Sequence, residues 1–479
     1  MTEFHCDPSR AGTPLPHAWE AVIGSGHATL ALRRDWLAQL TRCHDELGVQ
    51  AVRFHGILSD DVGTFTVQQG QDVDSFHNAF LIYDGILAAG LTPFVELSFM
   101  PRALARGDTT VFHYAGNVTP PADPDRWADL IRRFVSALVA RYGAEEVRRW
   151  HFEVWNEPNL PAFWDGTQAE YFDLYRWTVQ AIKGVDPDLR VGGPATANDE
   201  WVEDFLRYTT GAGLPVDFVT THHYPTDAFG KPGDDTEKQL AAGERNVLRQ
   251  RTQDTVRHAE GRPVFYTEWS TSSNPFFWRH DTPYAAAFVA KACLDVASLV
   301  AGYAYWTFSD LFEENYFSSA PFHGGFGLLT IHGVAKPAYR AMQLLHGLGD
   351  TRLLVDGMHP TVDCTVTRRG GDLVVLLTNH ALPAHAIADE TVRLRLAGVA
   401  GEPPAVTVER VDADHANARR AWEAMGEPAY PTPDQIDALH AASELGRDTV
   451  GAARDGADVL IEVHLPAHSV VRLTIPGIA

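Results

Sequence analysis

Two glutamates keep company suited to acid–base chemistry. Glu157 closes the run HFEVWNEPN between an asparagine and a proline, and Glu268 closes PVFYTEW between a threonine and a tryptophan. Both runs are rich in β-branched and aromatic residues and read as strands, so each carboxylate falls at a strand's C-terminal end. Two carboxylates facing each other across a cleft are what cleavage of a glycosidic bond requires. One protonates the leaving oxygen while the other attacks the anomeric carbon or activates water. Pairs about 5–5.5 Å apart retain the anomeric configuration and pairs about 6.5–9.5 Å apart invert it. A lone glutamate is more often an ion-pair partner. Two of them, both at strand ends and both among aromatic residues, argue for chemistry.

The elements around them must bring the two together. From about residue 20 to 345, short apolar runs alternate with longer helical segments, the pattern of parallel βα units. Strands are expected at 20–26, 49–58, 92–99, 148–157, 190–195, 217–224, 263–269 and 302–309. One helix shows the local chemistry agreeing: Asp123 can cap it, Pro124 suits its first position and Gly143 its end. Its apolar positions Trp127, Leu130, Ile131, Phe134, Leu138 and Val139 share a face. A second helix is expected to begin near Asn198 or Asp199, and a third to cover 285–299. Eight such units make an α/β fold, a (β/α)8 TIM barrel whose active site lies at the C-terminal ends of its strands. Glu157 and Glu268 then end the fourth and seventh strands, on opposite sides of the axis. Strict alternation puts His151, Glu153, Trp155 and Glu157 on one face, and Val264, Tyr266 and Glu268 on another.

After residue 345 the texture changes to short strands separated by glycine, proline and polar turns: 361–367, 372–378, 391–396, 404–410, 457–464 and 468–475. This reads as a C-terminal β-sandwich interrupted by a helical insertion at about 415–445. The expected division is a catalytic barrel over 15–345 and a sandwich over 346–479, with residues 1–14 free to join the latter.

Composition narrows the partners. An apolar share of 45% supports a core of ordinary size in a chain of 479 residues. A net charge of −23 disfavours nucleic acid and anionic membranes and favours a neutral substrate, here a small oligosaccharide. Cys6, Cys43, Cys293 and Cys364 are scattered without the spacing of a disulfide framework or zinc ribbon. The start MTEFHCDPSRAGTPLP carries no secretory pattern, and the apolar stretch 285–308 is interrupted by Lys291 and Asp295. A cytoplasmic protein is expected, with the oligomeric state left open.

The residues also resemble a known family. FEVWNEPNLPAFW resembles the acid/base segment of glycoside hydrolase family 39, and FYTEWSTSSNPFFWRHDTPYAAAF resembles the nucleophile segment of its β-xylosidases. RFHGILSDDVGTF, THHYP and YWTFSDLFEENYF…FHGGFGLL are similar to that subfamily too, in order over about 50–340. The resemblance implies Glu157 as acid/base, Glu268 as nucleophile and Asn156 at the sugar 2-hydroxyl. It also implies His55, His222, Tyr224, Glu314 and its neighbour Glu313 at sugar-binding positions, and Trp306 as an aromatic platform. The activity implied is a retaining exo-β-D-xylosidase acting on short xylo-oligosaccharides. The rival readings are an α-L-iduronidase or β-glucosidase of the same family, or a non-catalytic carbohydrate-binding protein. Arg279 is the cation that a uronate substrate could use.

Several further signals need weighing. Arg53, on the strand face of His55, could support Glu268 by charge or pair with Glu153 deeper in the barrel; both readings stand. His222-His223 lacks a third ligand at metal spacing, so no metal is expected and no cofactor is needed. Gly24-Ser25-Gly26 lacks the rest of a phosphate-loop motif and reads as a turn, and His323-Gly324-Gly325 reads as a loop at the edge of the site. Phe276, Phe277 and Trp278 are either core or an aglycone wall.

Overall fold

The computed structural model describes residues 2–227, 235–314, 318–399, 402 and 405–477. Asn315, Tyr316 and Phe317 of the YWTFSDLFEENYF segment, and the first residue of the expected strand 404–410, lie outside them.

Eight parallel strands form one sheet in chain order: β1 (Ile23–His27), β2 (Ala51–His55), β3 (Thr92–Glu96), β4 (His151–Glu153), β5 (Arg190–Thr196), β6 (Phe218–His223), β7 (Val264–Trp269) and β8 (Gly302–Tyr305). Past β8, Phe308 N donates to Gly24 O at 2.9 Å, which brings the last strand back to the first. Helices cover the outer face, so this is a TIM barrel. The helix Pro124–Tyr142 starts as its sequence dictates: Asp123 accepts from Asp125 N and Arg126 N, and Gly143 ends it at φ 85°. Its buried face is Trp127, Leu130, Ile131, Phe134, Val135 and Leu138, with Val139 half-buried.

The helix expected to begin near Asn198 or Asp199 begins instead at Val202. Asp199 caps nothing; its carboxylate accepts from Tyr266 Oη at 2.5 Å and from Arg251 Nε at 2.8 Å.

The barrel interior is layered. At the base, Phe94, His151, Phe218 and Phe265 pack with ring centroids 4.9–5.7 Å apart, filling the space that small residues such as Ala51 and Ala304 leave. Above them sits a wholly buried polar layer containing Arg53, Glu96, Glu153 and Thr267. The candidate site forms the top.

The C-terminal region is a β-sandwich. One sheet of seven strands includes Val362–Arg369, Asp372–Asn379, Ser469–Ile475 and Val406–Val411; the other, of five, includes Glu390–Leu396 and Asp458–Leu465. Thr2–Cys6 pairs in parallel with Glu390–Leu396, and Thr13–Pro14 pairs with Thr351–Leu353, so the N-terminal segment adds a strand to each sheet. The insertion carries two helices, Ala418–Ala424 and Pro433–Ala442. Trp422 of the first packs on Phe322, in the loop after β8.

Candidate active site

The two glutamates reach the barrel mouth by departures from regular strand geometry. β4 ends at Glu153, well short of the expected 157. His151 and Glu153 point inward as alternation requires. Trp155, expected on the same face, does not: it adopts φ 73°, packs edge-on against Phe99 and Trp164, and donates its indole N–H to Phe163 O. Asn156 and Glu157 both turn to the axis, with Glu157 at φ 43° and its N–H on Ala195 O at 2.7 Å. Neighbouring residues in a regular strand cannot both face inward. The left-handed backbone at Trp155 and Glu157 is what permits it, and non-glycine residues adopt it at an energetic cost that concentrates at functional sites.

Glu268 is also brought in by an irregularity. Phe265 lies in the inner base layer, while Tyr266 points outward, stacked on His223 and bonded to Asp199. Alternation would therefore send Glu268 outward with Tyr266. Instead Thr221 and His222 of β6 register with Tyr266 and Glu268, leaving Thr267 as an extra residue. This β-bulge turns Thr267 and Glu268 inward in succession, re-aiming a side chain beside a site as bulges do. The expected face of Val264, Tyr266 and Glu268 is thus corrected.

An oxygen of Glu157, an oxygen of Glu268 and a ring nitrogen of His222 lie within 4.8 Å of one another. The two carboxylates therefore approach each other to 4.8 Å or less at their nearest oxygens. The two carboxyl groups are treated differently. Burial first, and then the charge of Glu268, push the pKa of Glu157 well above the usual carboxyl range. Glu268 instead holds the strongest donors: Arg53 Nη1 at 2.5 Å on Oε1 and the Tyr224 hydroxyl at 2.9 Å on Oε2.

Arg53 reaches both of its expected partners. Its Nε donates to Glu153 at 2.8 Å and Nη1 to Glu268; Nη2 lies 2.8 Å from Glu96 and donates to Asn156 Oδ1 at 2.9 Å. Burial opposes its charge, but Glu153, Glu96 and Glu268 outweigh that and fix the guanidinium as a cation. His55 follows the same logic. Burial would lower its pKa, yet Glu96, 2.7 Å from Nδ1, and Glu314, 3.4 Å from Nε2, raise it to about 10. His222 goes the other way: burial and then Arg53 hold it well below its usual value, so it is neutral. Its Nδ1 is 2.9 Å from Glu157 Oε1 and its Nε2 is 3.1 Å from Thr267 Oγ1.

A cavity of about 240 Å³ opens over the pair, lined by Glu157, Tyr224, Glu268, Trp306 and Glu314 together with Phe112, Phe163 and Phe326. His55 packs against Trp306 with ring centroids 4.9 Å apart, and Asn156 Oδ1 accepts from Arg53 Nη2. His222 has both nitrogens engaged by protein and stands behind Glu157. Glu313 Oε1 lies 3.5 Å from Thr29 Oγ1 and its Oε2 lies 4.0 Å from His113 Nε2. Of the aromatic trio after β7, Phe277 is buried core, while Phe276 and Trp278 are exposed and only their neighbour Pro275 lines the cavity. Sequence reasoning passed over Glu96, although it sits at a barrel strand's C-terminal end on the inward face of Phe94, the rule that selected Glu157. Phe112, Phe163 and Phe326 lie on loops, where no periodicity marks them.

A carboxyl whose pKa is raised, opposite a carboxyl that accepts from a guanidinium and a phenol, both at a cavity lined by an indole, can donate a proton on one side of a bound sugar and attack on the other. The comparisons with known proteins agree with that chemistry. A β-xylosidase of Caldicellulosiruptor saccharolyticus is 45% identical over 463 residues, 95% of each chain. One from Geobacillus stearothermophilus is 38% identical, covering 87% of this chain and 84% of its own. The crystal structure of a monomeric β-xylosidase from Caulobacter crescentus CB15 superposes with a TM-score of 0.86 at 34% identity, over 100% of both chains. The profile of glycosyl hydrolases family 39 matches residues 2–457, and the chain belongs to that family.

Proposed function

We propose that this glycosidase is a retaining exo-β-D-xylosidase, releasing xylose from the non-reducing end of short xylo-oligosaccharides. The observation that carries the mechanism is the opposed treatment of Glu157 and Glu268 across less than 5 Å. Glu157 delivers its proton to the leaving oxygen while Glu268 Oε1 or Oε2 attacks the anomeric carbon, giving a glycosyl ester on Glu268. Esterification removes the Glu268 charge, which was raising the pKa of Glu157. Glu157 can then act as base on the incoming water.

The remaining residues take supporting parts. Arg53 aims Glu268 by donating to its Oε1. With Asn156 Oδ1 held by Arg53, the amide N–H2 of Asn156 is the end left for a sugar hydroxyl. His222 orients Glu157, Trp306 supplies the flat apolar surface for a sugar's C–H face, and His55, Tyr224 and Glu314 address hydroxyls. Glu313 is a weaker candidate because it faces Thr29.

Charge favours a neutral glycone. Among the described residues lining the cavity are Glu157, Asp227, Glu268 and Glu314 and no lysine or arginine. Arg279, the cation a uronate would need, is held by Glu237 at 2.8 and 3.1 Å and packs on Trp278. A bound metal is disfavoured by charge as well, because the Arg53 guanidinium already occupies Glu268. No helix among the described residues is long and apolar enough to cross a membrane. Four cysteines in thiol form suit a reducing, cytoplasmic setting.

Substrate choice is tested by kcat/KM on p-nitrophenyl β-D-xyloside, p-nitrophenyl β-D-glucoside and an aryl α-L-iduronide. The xyloside should lead by at least about tenfold, the low end of what one extra carbon costs in a shaped pocket. Preference for either rival would overturn the choice of xylose.

A further inference from the structure

Lys336 immediately precedes the helix Pro337–His346 and is wholly buried. Its Nζ lies 2.7 Å from Asp281 Oδ1 and 2.6 Å from Asp310 Oδ2, and it donates to Gly325 O at 3.0 Å. An ammonium has three N–H donors, and three oxygens surround this one. The second oxygen of each aspartate accepts a backbone N–H from the same turn: Gly324 N on Asp281 Oδ2 and Gly327 N on Asp310 Oδ1, both at 2.7 Å. Asp281 follows β7, Asp310 follows β8 and Lys336 starts the last barrel helix. Three separate elements therefore converge on the tetrapeptide 324–327.

The turn has no slack. A Cβ at Gly325 would come 2.4 Å from Asp310 Oδ1, and one at Gly327 would come 2.2 Å from Asp310 N. The residue between these two glycines is Phe326, which lines the cavity. Its ring centroid is 5.3 Å from His280 and 6.5 Å from Tyr224, whose hydroxyl holds Glu268. A buried ion cluster is a weak source of net stability, because desolvating the charges offsets much of their attraction, and its attested value lies in fixing one arrangement over others.

We infer that Lys336 is a positioning residue: acting through Asp281 and Asp310, it clamps the turn 324–327 and thereby sets Phe326 as the cavity wall beside Tyr224 and Glu268. The inference rests on the cavity being the sugar site proposed above, and the clamp acts on binding more than on the bond-breaking step. Phe326 is an apolar wall that meets ground state and transition state alike, so its displacement raises KM and leaves kcat nearly unchanged.

The test is steady-state kinetics of Lys336→Met, Phe326→Ala and the double variant, on whichever glycoside the wild-type enzyme cleaves best. A wrong sugar assignment therefore shows in the wild type and leaves the comparison intact. Folded Lys336→Met should raise KM by about tenfold or more while kcat changes by less than about threefold. In the Phe326→Ala background the same change should add little, because both act through one ring. Unchanged KM in folded Lys336→Met, a fall in kcat alone, or effects that multiply in the double variant would overturn the inference. Asp281→Asn, which keeps an acceptor for Gly324 N, is read in the same way should Lys336→Met not fold.

Discussion

Arg53 Nη1 sits 2.5 Å from Glu268 Oε1, and the same guanidinium also holds Glu153, Glu96 and Asn156. One planar fork thus ties together side chains from β2, β3, β4 and β7 beneath the cavity. It holds the group proposed as nucleophile and fixes the amide next to the group proposed as acid.

Replacing Arg53 by lysine keeps the charge and loses the fork. An ammonium cannot span four partners spread around a barrel. We expect kcat/KM to fall by about a hundredfold or more, the scale of a small misplacement of reacting groups. Thermal unfolding should also shift down, because buried carboxylates lose a partner, a loss of about 3–5 kcal/mol when such a pair is broken outright. A variant with wild-type kcat/KM would show that Arg53 merely fills the barrel.

Glu157 and Glu268 should be separable by azide rescue. In Glu268→Ala, azide entering from the vacated side attacks the anomeric carbon of an activated aryl xyloside and yields the α-azide. In Glu157→Ala, azide attacks the glycosyl ester on Glu268 and yields the β-azide. Without azide each variant should lose orders of magnitude in rate, as removal of a general acid alone costs about 10²–10⁴-fold. The opposite pairing of variant and anomer, read by NMR of the product, would exchange the two assignments.

The raised pKa of Glu157 has a consequence for stability. In the unfolded chain it ionises near the ordinary value of about 4.3, whereas in the folded protein it keeps its proton to a higher pH. Between those two pH values the folded state binds more protons than the unfolded state, so this group's contribution to stability falls as pH rises. Glu157→Gln cannot ionise and escapes that loss. The difference in unfolding temperature, variant minus wild type, should therefore grow more positive as pH increases from about 4.3 through the folded pKa of Glu157. A difference independent of pH would mean that Glu157 ionises normally in the fold.

Much of this arrangement was legible in the residues, and the illegible part has a local cause. The eight barrel strands followed from short β-branched and aromatic runs, and Asp123, Pro124 and Gly143 marked their helix as written, whereas the aromatic layer at the barrel's base was not foreseen. The sandwich strands 362–369, 372–379 and 469–475 came within two residues of expectation. Strand alternation, however, misplaced Trp155 and gave the wrong companions to Glu268. It fails there because the backbone at 155–157 is left-handed and because Thr267 is inserted as a bulge, and neither departure has a glycine to announce it. Arg53 was visible as a partner of either Glu153 or Glu268. That it serves both depends on strand radius and tilt, which no single segment encodes. The Lys336 clamp joins residues 281, 310 and 336, and sequence spacing gives no sign of their meeting.

The most direct test of the account is the configuration of the first sugar released. With p-nitrophenyl β-D-xyloside followed by ¹H NMR from the first turnovers, β-xylose should appear first, and the α anomer should grow in only as mutarotation proceeds. α-Xylose as the first product would contradict the double displacement through Glu268 and, with it, the division of labour between the two glutamates.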